Sequence, residues 1–204
     1  SEESRAKYWE MSQDFYLLIK HAKPNPAHMA FVEFEKMGKL NGIITQNVDR
    51  LHQKAGVSHE RVVEIHGNEL FVTCLNCGRR YTREEIYEWI QNGVKVPYCL
   101  KCQGMLKPDS IAFGQPQPLN VSRRAWDMVM GCDLMIIIGT SLLVQPAALL
   151  PWKAVENGAK LMIINLTSTV YDEHADLLIR AGAGKTMQKI MKRIETIKYY
   201  VQTP

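Results

Sequence analysis

Long hydrophobic runs are missing from this sequence. The longest apolar stretches are Leu134–Ile138 and Leu161–Ile164, far short of the ~20 residues that a membrane-spanning helix needs. Ser1–Glu10 is polar and charged, so no secretory leader is expected there. The chain opens in Ser-Glu-Glu-Ser without a methionine, and a preceding segment is expected. Charge of one sign is also scarce. Twenty-five Lys and Arg stand against 21 Asp and Glu, a net charge of +4. No basic cluster is dense enough to read as a nucleic-acid stripe. Internal repeats and low-complexity segments are absent, which excludes fibrous and solenoid architectures.

What remains is ordinary globular material. Hydrophobic residues make up 46% and charged residues 23% of the 204 residues, enough to bury a core without covalent staples. The length suits one domain, or one domain carrying a small inserted module.

The five cysteines are not evenly spread. Four form Cys74-x-x-Cys77 and Cys99-x-x-Cys102, with 21 residues between the pairs. Two such pairs at this separation read as a Zn²⁺ site, each supplying two thiolates from one tight knuckle. Gly78 and Gly104 follow the knuckles, where the chain must turn. The competing readings are two disulfides, which need an oxidising compartment, or two redox dithiols, which usually occur singly. Four thiolates leave no open coordination position, so the zinc is expected to be structural. Cys132 precedes an apolar run and reads as a core residue.

Apolar spacing predicts helices over Tyr8–Lys20, with Trp9, Phe15, Leu18 and Ile19 inward, and over Pro26–Lys36, capped by Asn25 and ended by Gly38. Further helices are expected at Glu84–Gln91, Ala147–Asn157 and Thr186–Tyr200. Strands are expected at Leu40–Thr45, Asp133–Gly139 and Lys160–Asn165. Continuous apolar strands alternating with helices imply an α/β fold whose parallel sheet is covered on both faces. Ligands in such sheets bind beyond the carboxyl ends of the strands. Three strand ends are rich in polar or small residues: Thr45-Gln46-Asn47, Gly139-Thr140-Ser141 and Asn165. They are expected to converge on one nucleotide-binding crevice. The cysteine module lies between the first and second of these strands and reads as an insertion.

Gln46, Asn47 and Asp49 suit ribose hydroxyls or a carboxamide, or equally a capped polar turn. His66 ends an apolar run and precedes Gly67. It reads as a general base near neutral pH, or as an ordinary surface or core histidine. Gly139, Thr140 and Ser141 offer backbone N–H groups and hydroxyls to a phosphate or ribose.

Taken together, these segments resemble the sirtuin family. The motifs that carry the likeness are Lys23-Pro-Asn-Pro-Ala-His28, Thr45-Gln-Asn-Val-Asp-Arg-Leu-His-Gln-Lys-Ala-Gly56, Glu64-Ile-His-Gly-Asn68, the four cysteines, Phe113-Gly114, Gly139-Thr-Ser-Leu142, Pro146-Ala147 and Ile164-Asn165. The resemblance implies a Rossmann-like domain over 39–70 and 109–204, a zinc-ribbon module over 71–108 and a helical segment over 1–38. It implies a cytoplasmic NAD-dependent protein-lysine deacylase (or a nuclear one in a eukaryote) that removes acyl groups such as acetyl, with acyl-lysine proteins as partners, NAD as co-substrate and structural Zn. No membrane or nucleic-acid partner is expected. In such enzymes the acyl carbonyl oxygen attacks the nicotinamide ribose, nicotinamide leaves, and the acyl group passes to the ribose, giving O-acyl-ADP-ribose and free lysine.

By that resemblance His66 is the general base. Gln46, Asn47, Val48 and Asp49 hold nicotinamide and its ribose, and Gly139, Thr140 and Ser141 hold phosphate and ribose. Asn165 meets the adenosine ribose, and Leu166, Thr167 and Ala183 lie near adenine. Ile111, Phe113, Gly114 and Leu143 line the substrate, an acyl-lysine peptide expected to add as a strand along two extended stretches, 110–114 and 142–144. Mono-ADP-ribosyl transfer from the same pocket, and a non-catalytic zinc-ribbon interaction module, are the competing functions. The family's glycine-rich Gly-Ala-Gly-x-Ser loop and the Pro-Asp-Phe-Arg stretch after it have no counterpart in these residues. Gln115 stands where the family carries glutamate, removing a negative charge beside the expected peptide.

Overall fold

The computed structural model describes residues 1–202, with side chains through Tyr199. In chain order the elements are α1 (Glu2–His21), α2 (Pro26–Lys36), β1 (Ile43–Thr45), α3 (Leu51–Ala55), β2 (Val62–Glu64), β3 (Phe71–Cys74), β4 (Arg80–Thr82), α4 (Arg83–Gln91), β5 (Leu106–Pro108), α5 (Leu119–Met130), β6 (Leu134–Ile138), α6 (Leu150–Glu156), β7 (Lys160–Ile164), β8 (Leu177–Ile179) and α7 (Ala183–Gln202). They fall into two compact units. Among the described residues no helix is long and apolar enough to cross a membrane.

The first unit comprises Ser1–Lys23, Thr45–Arg50 and His66–Gln117. Its sheet is antiparallel in the order β4-β3-β5. Trp9, Val72, Cys74, Tyr81, Ile86, Cys99 and Leu106 form the core. α1 starts earlier than the apolar spacing suggests, because the Ser1 hydroxyl accepts the Ser4 N–H and Glu2 and Glu3 favour the positive helix end. Its buried face is Trp9, Gln13, Tyr16 and Ile19, while Phe15 and Leu18, expected inside, are exposed. The reason lies in α4. Arg83, fully buried, sets its guanidinium 5.1 Å from the Trp9 ring centre and 4.9 Å from that of Tyr16. It also donates to Ser12 Oγ at 2.8 Å. The helix turns its aromatic and polar face to that cation, at the expense of its aliphatic stripe. Thr82 and Glu85 close a reciprocal cap on α4.

The second unit comprises Pro24–Ile44, Leu51–Ile65 and Pro118–Pro204. β6, β7 and β8 run parallel in that order, with Leu134 opposite Lys160 and Met162 opposite Leu177. α2 begins as expected: Asn25 Oδ1 accepts from Ala27 and His28, and His28 Nδ1 accepts the Asn25 N–H. It packs with α7 over Met162, Ile164 and Met187. α5, a helix not among those expected, buries Ala125 and Val129 against Val63, Ile65 and Ala154. Cys132, expected in the core, is half-buried against its rim and donates to the Val129 carbonyl at 3.1 Å.

The parallel sheet is narrower than expected. β1 pairs with β2 in a separate two-stranded sheet, so among the described residues β6 pairs with β7 alone. Leu134, the first residue of β6, is 47% exposed, whereas Leu161, Ile163 and Ile164 of β7 are fully buried. A cavity of about 370 Å³ is lined by Ile43 and Ile44 of β1, by Leu134, Met135 and Ile136 of β6, and by Phe31, Phe34 and Met128.

Candidate active site and cysteine centre

In the first unit, the Thr45–Arg50 segment and the turn at His66 lie together. The Asn47 N–H donates to Thr45 Oγ1 at 3.1 Å, starting a tight polar turn, and Arg50 sits at a left-handed φ of 57° with its guanidinium 5.2 Å from the Phe71 ring centre. His66 Nδ1 is 3.2 Å from the Gln46 carbonyl oxygen. A carbonyl can only accept, so Nδ1 carries the hydrogen, and in the neutral ring Nε2 keeps its lone pair. The His66 carbonyl in turn accepts the Ile111 N–H at 2.8 Å.

Gly67 explains why the turn fits. It holds φ +68°, and a β-carbon there would lie 2.0 Å from the Asp109 carbonyl oxygen. The backbone of 109–111 therefore passes directly beneath the His66 turn. One residue of this arrangement carried no motif in the sequence. Glu69, 6% exposed, donates its N–H to the Val48 carbonyl at 3.0 Å. Its carboxylate accepts the Ser110 hydroxyl. A charged residue three places after the histidine was the only signal available for it.

Of the expected substrate residues, Ile111 is half-buried and Phe113 is 96% exposed. Residues 110–114 do not form the extended stretch predicted. The Gln115 N–H donates to the Ala112 carbonyl at 3.0 Å and Gly114 takes φ +81°, so the segment ends in a turn. Gln115 closes it further, its side-chain oxygen accepting the Ala112 N–H at 3.3 Å.

In the second unit, the ends of β6 and β7 carry the other candidates. The Gly139 N–H donates to the Ile164 carbonyl at 3.1 Å, and the Leu142 N–H donates to Thr140 Oγ1 at 3.1 Å. That turn puts Leu142 in the left-handed region at φ 55°, so 142–144 is not extended either. Ser141 and Leu143 are exposed while Leu142 is buried. Asn165, 8% exposed, donates its side-chain N–H to the Thr167 carbonyl at 3.0 Å, and Arg180 holds the same carbonyl at 2.6 Å. Leu166 and Thr167 are exposed, and Ala183 opens α7.

The four cysteines form one cluster, with all Sγ atoms within 4.8 Å of one another. Cys74–Cys102 and Cys77–Cys99 are 3.5 and 3.6 Å apart. Disulfide sulfurs lie at about 2.05 Å, so these are four thiols, not two bridges. Four thiolates about 2.3 Å from one Zn²⁺ sit about 3.8 Å apart, close to what is seen. Both knuckles close alike: the Gly78 N–H donates to the Cys74 carbonyl at 3.0 Å, and the Gln103 N–H to the Cys99 carbonyl at 2.8 Å. The second knuckle differs from expectation. Gln103, not Gly104, takes the left-handed conformation, and Gly104 is required because a β-carbon would lie 2.9 Å from Cys74 Sγ. Against burial, which raises it, the Tyr81 hydroxyl and the Lys101 and Cys102 backbone N–H groups hold the Cys99 thiol down at about 6. At Cys99 that favours the thiolate a metal requires, while the hydrogen bond with Cys77 pushes the Cys102 thiol up to about 12.

The Sir2 family profile matches residues 2–146. An NAD-dependent protein deacetylase of Pyrobaculum aerophilum is 43% identical over 186 residues, covering 91% of this chain and 72% of its own length. An NAD-dependent protein deacylase of Thermococcus kodakarensis is 37% identical over 192 residues, covering 93% and 74%. A Sir2 structure bound to a propionylated peptide superposes with a TM-score of 0.88 at 34% identity, over 92% of this chain and 78% of that one. A Sir2 complex with a p53 peptide and NAD+ gives 0.83 at 34% identity, over 93% and 80%. With the profile matching residues 2–146, and with identities of 34–43% and fold agreement extending over more than nine-tenths of its length, the chain belongs to the Sir2 family.

Proposed function

We propose that this protein removes acyl groups from protein lysines in an NAD-dependent reaction, with His66 as general base. NAD supplies the ribose that accepts the acyl group when nicotinamide departs, and one water is consumed in freeing the lysine amine. The observation that carries the reading is the tie between His66 Nδ1 and the Gln46 carbonyl. It fixes one ring nitrogen as donor and leaves Nε2 to take a proton from a ribose hydroxyl. Gln46, Asn47, Val48 and Asp49 supply amide and carboxylate groups to the nicotinamide ribose. Gly139, Thr140 and Ser141 supply N–H groups and hydroxyls to phosphate, and Asn165, Leu166, Thr167 and Ala183 meet the adenosine half. Phe113, with Ile111 and Gly114 beside it, offers an apolar surface to the acyl-lysine stem, and Leu143 offers another. Cys74, Cys77, Cys99 and Cys102 hold a structural Zn²⁺ that takes no part in the chemistry. A reducing compartment such as the cytoplasm keeps those thiols available.

The test is His66→Ala, assayed with NAD and an acetyl-lysine peptide. Losing a general base costs ~10²–10⁴-fold in rate, and the loss should fall after nicotinamide release, so nicotinamide exchange survives better than net deacylation. A variant that deacylates at the wild-type rate refutes the assignment. Formation of ADP-ribosylated protein, with no O-acyl-ADP-ribose, assigns the pocket to ADP-ribosyl transfer instead.

A further inference from the structure

His66 and Glu69 sit at the two ends of one turn, and each bridges the same two segments. His66 contacts the Gln46 carbonyl through its ring and accepts the Ile111 N–H through its carbonyl, at 3.2 and 2.8 Å. Glu69 contacts the Val48 carbonyl through its N–H at 3.0 Å and the Ser110 hydroxyl through its carboxylate. The four contacts make a closed frame: 46–48 on one side, 110–111 on the other, the turn across both. The Glu69–Ser110 edge closes the frame at its Glu69 end, next to the Asp109 N–H that donates to the Phe71 carbonyl at 2.9 Å. Lys107 braces the same side, donating from Nζ to the carbonyls of Pro108 (3.0 Å) and Ser110 (2.5 Å).

The carboxylate is not idle surface charge. Burial lowers the pKa of both Arg83 and Lys107, and Glu69 opposes that shift in each case, so it is the acid that these two cations share. Arg83 needs it, since its Nε and Nη1 find no hydrogen-bond partner among the described residues. A buried carboxylate compensated from two sides is held in place and can serve as a fixed acceptor.

Resting on the deacylase reading above, we infer that the Glu69–Ser110 pair is a positioning device for His66, holding the imidazole at the orientation in which Nε2 meets the ribose hydroxyl. Neither residue touches substrate; both act through the turn.

Glu69→Ala strands Arg83 and can fail to fold, so the decisive variant is Ser110→Ala, which breaks the edge and leaves the charges in place. Expected is a fall in kcat of roughly ten- to a hundredfold, the scale of an ångström-sized misplacement, with KM for NAD within about twofold of wild type by the same reasoning. Ser110→Thr, which keeps the hydroxyl, should recover most of kcat. The His66 ring resonances, identified by their loss in His66→Ala, should shift in Ser110→Ala and return in Ser110→Thr. A Ser110→Ala protein that melts earlier but keeps wild-type kcat and an unmoved His66 resonance overturns the inference. If the wild-type chain turns over no acyl-lysine peptide, the deacylase reading fails on its own, and the His66 resonance still decides whether the pair positions the ring.

Discussion

Gly67→Ala tests the packing beneath the general base most directly, and its magnitude can be built from two separate costs. The first is conformational. An alanine at φ +68° sits in the left-handed region, at ~1–2 kcal/mol. The second is steric. The new methyl would lie 2.0 Å from the Asp109 carbonyl oxygen and 3.0 Å from both the Asp109 carbonyl carbon and Ser110 Cα. All three are backbone atoms, so no rotamer change relieves them, and 109–110 must move by about 1–1.5 Å to regain ordinary contact. Overpacking of this kind costs about 1–3 kcal/mol. Together the two give about 2–5 kcal/mol, a fall in Tm of about 4–20 °C for a chain of this size. Gly158→Ala is the control. It has φ +88° with no atom within 4 Å of the new carbon, so it carries the conformational cost alone, ~1–2 kcal/mol. Thermal melts of both variants, with deacylation rates alongside, separate the two costs. Equal destabilisation in the pair would show that the close approach of Asp109 costs nothing, and the account of the His66 turn would fall with it.

Three further outcomes are expected. Cys99→Ala should strip zinc from the chain and unfold the cysteine module, because structural zinc supplies folding free energy; metal analysis that finds no zinc in folded wild-type protein rules this out. Asp49→Asn should raise KM for NAD more than KM for peptide, since an amide copies poorly a carboxylate that accepts ribose hydroxyls; unchanged NAD kinetics would count against the assignment. Lys160 and the Leu161 N–H hold the Asp176 carboxyl below its ordinary value. Its folded pKa is therefore depressed, and its contribution is present above the unfolded carboxylate range and lost as pH falls through the lower folded value. Asp176→Asn should flatten the acid limb of the stability–pH curve, and an unchanged limb in that variant would contradict the pairing.

How much of this was legible beforehand depended on the range of each interaction. The cysteine site could be read because its ligands announce themselves by spacing, and α2 because Asn25 and Pro26 write its start locally. Asn47 and His66 could be nominated by type. What fixes the His66 tautomer is the backbone carbonyl of Gln46, twenty positions away, and no local pattern encodes such a contact. α5 carried a usable signal in Val121, Ala125 and Val129 at helical spacing, obscured by the prolines before it. β8 did not, being three residues long. Trp9 and Ile19 of α1 face inward as expected, and Phe15 and Leu18 do not, for a physical reason: Trp9 and Tyr16 follow a buried arginine from another helix, and hydrophobic periodicity has no knowledge of that cation. The two stretches expected to be extended bend because Gly114 and Leu142 adopt positive φ, one permitted by residue type and the other imposed by Thr140.

The one-sided pairing of β6 leaves a row of main-chain N–H and C=O groups without a strand partner among the described residues. Leu134–Ile138 reads Leu-Met-Ile-Ile-Ile, and its second edge bonds to no other strand among the described residues. It bears no lysine, proline or bulge, the devices by which natural edges are blunted against accretion. Among the described residues, Leu134–Ile138 thus presents an unpaired apolar edge on a strand that sequence alone would place at the centre of a sheet.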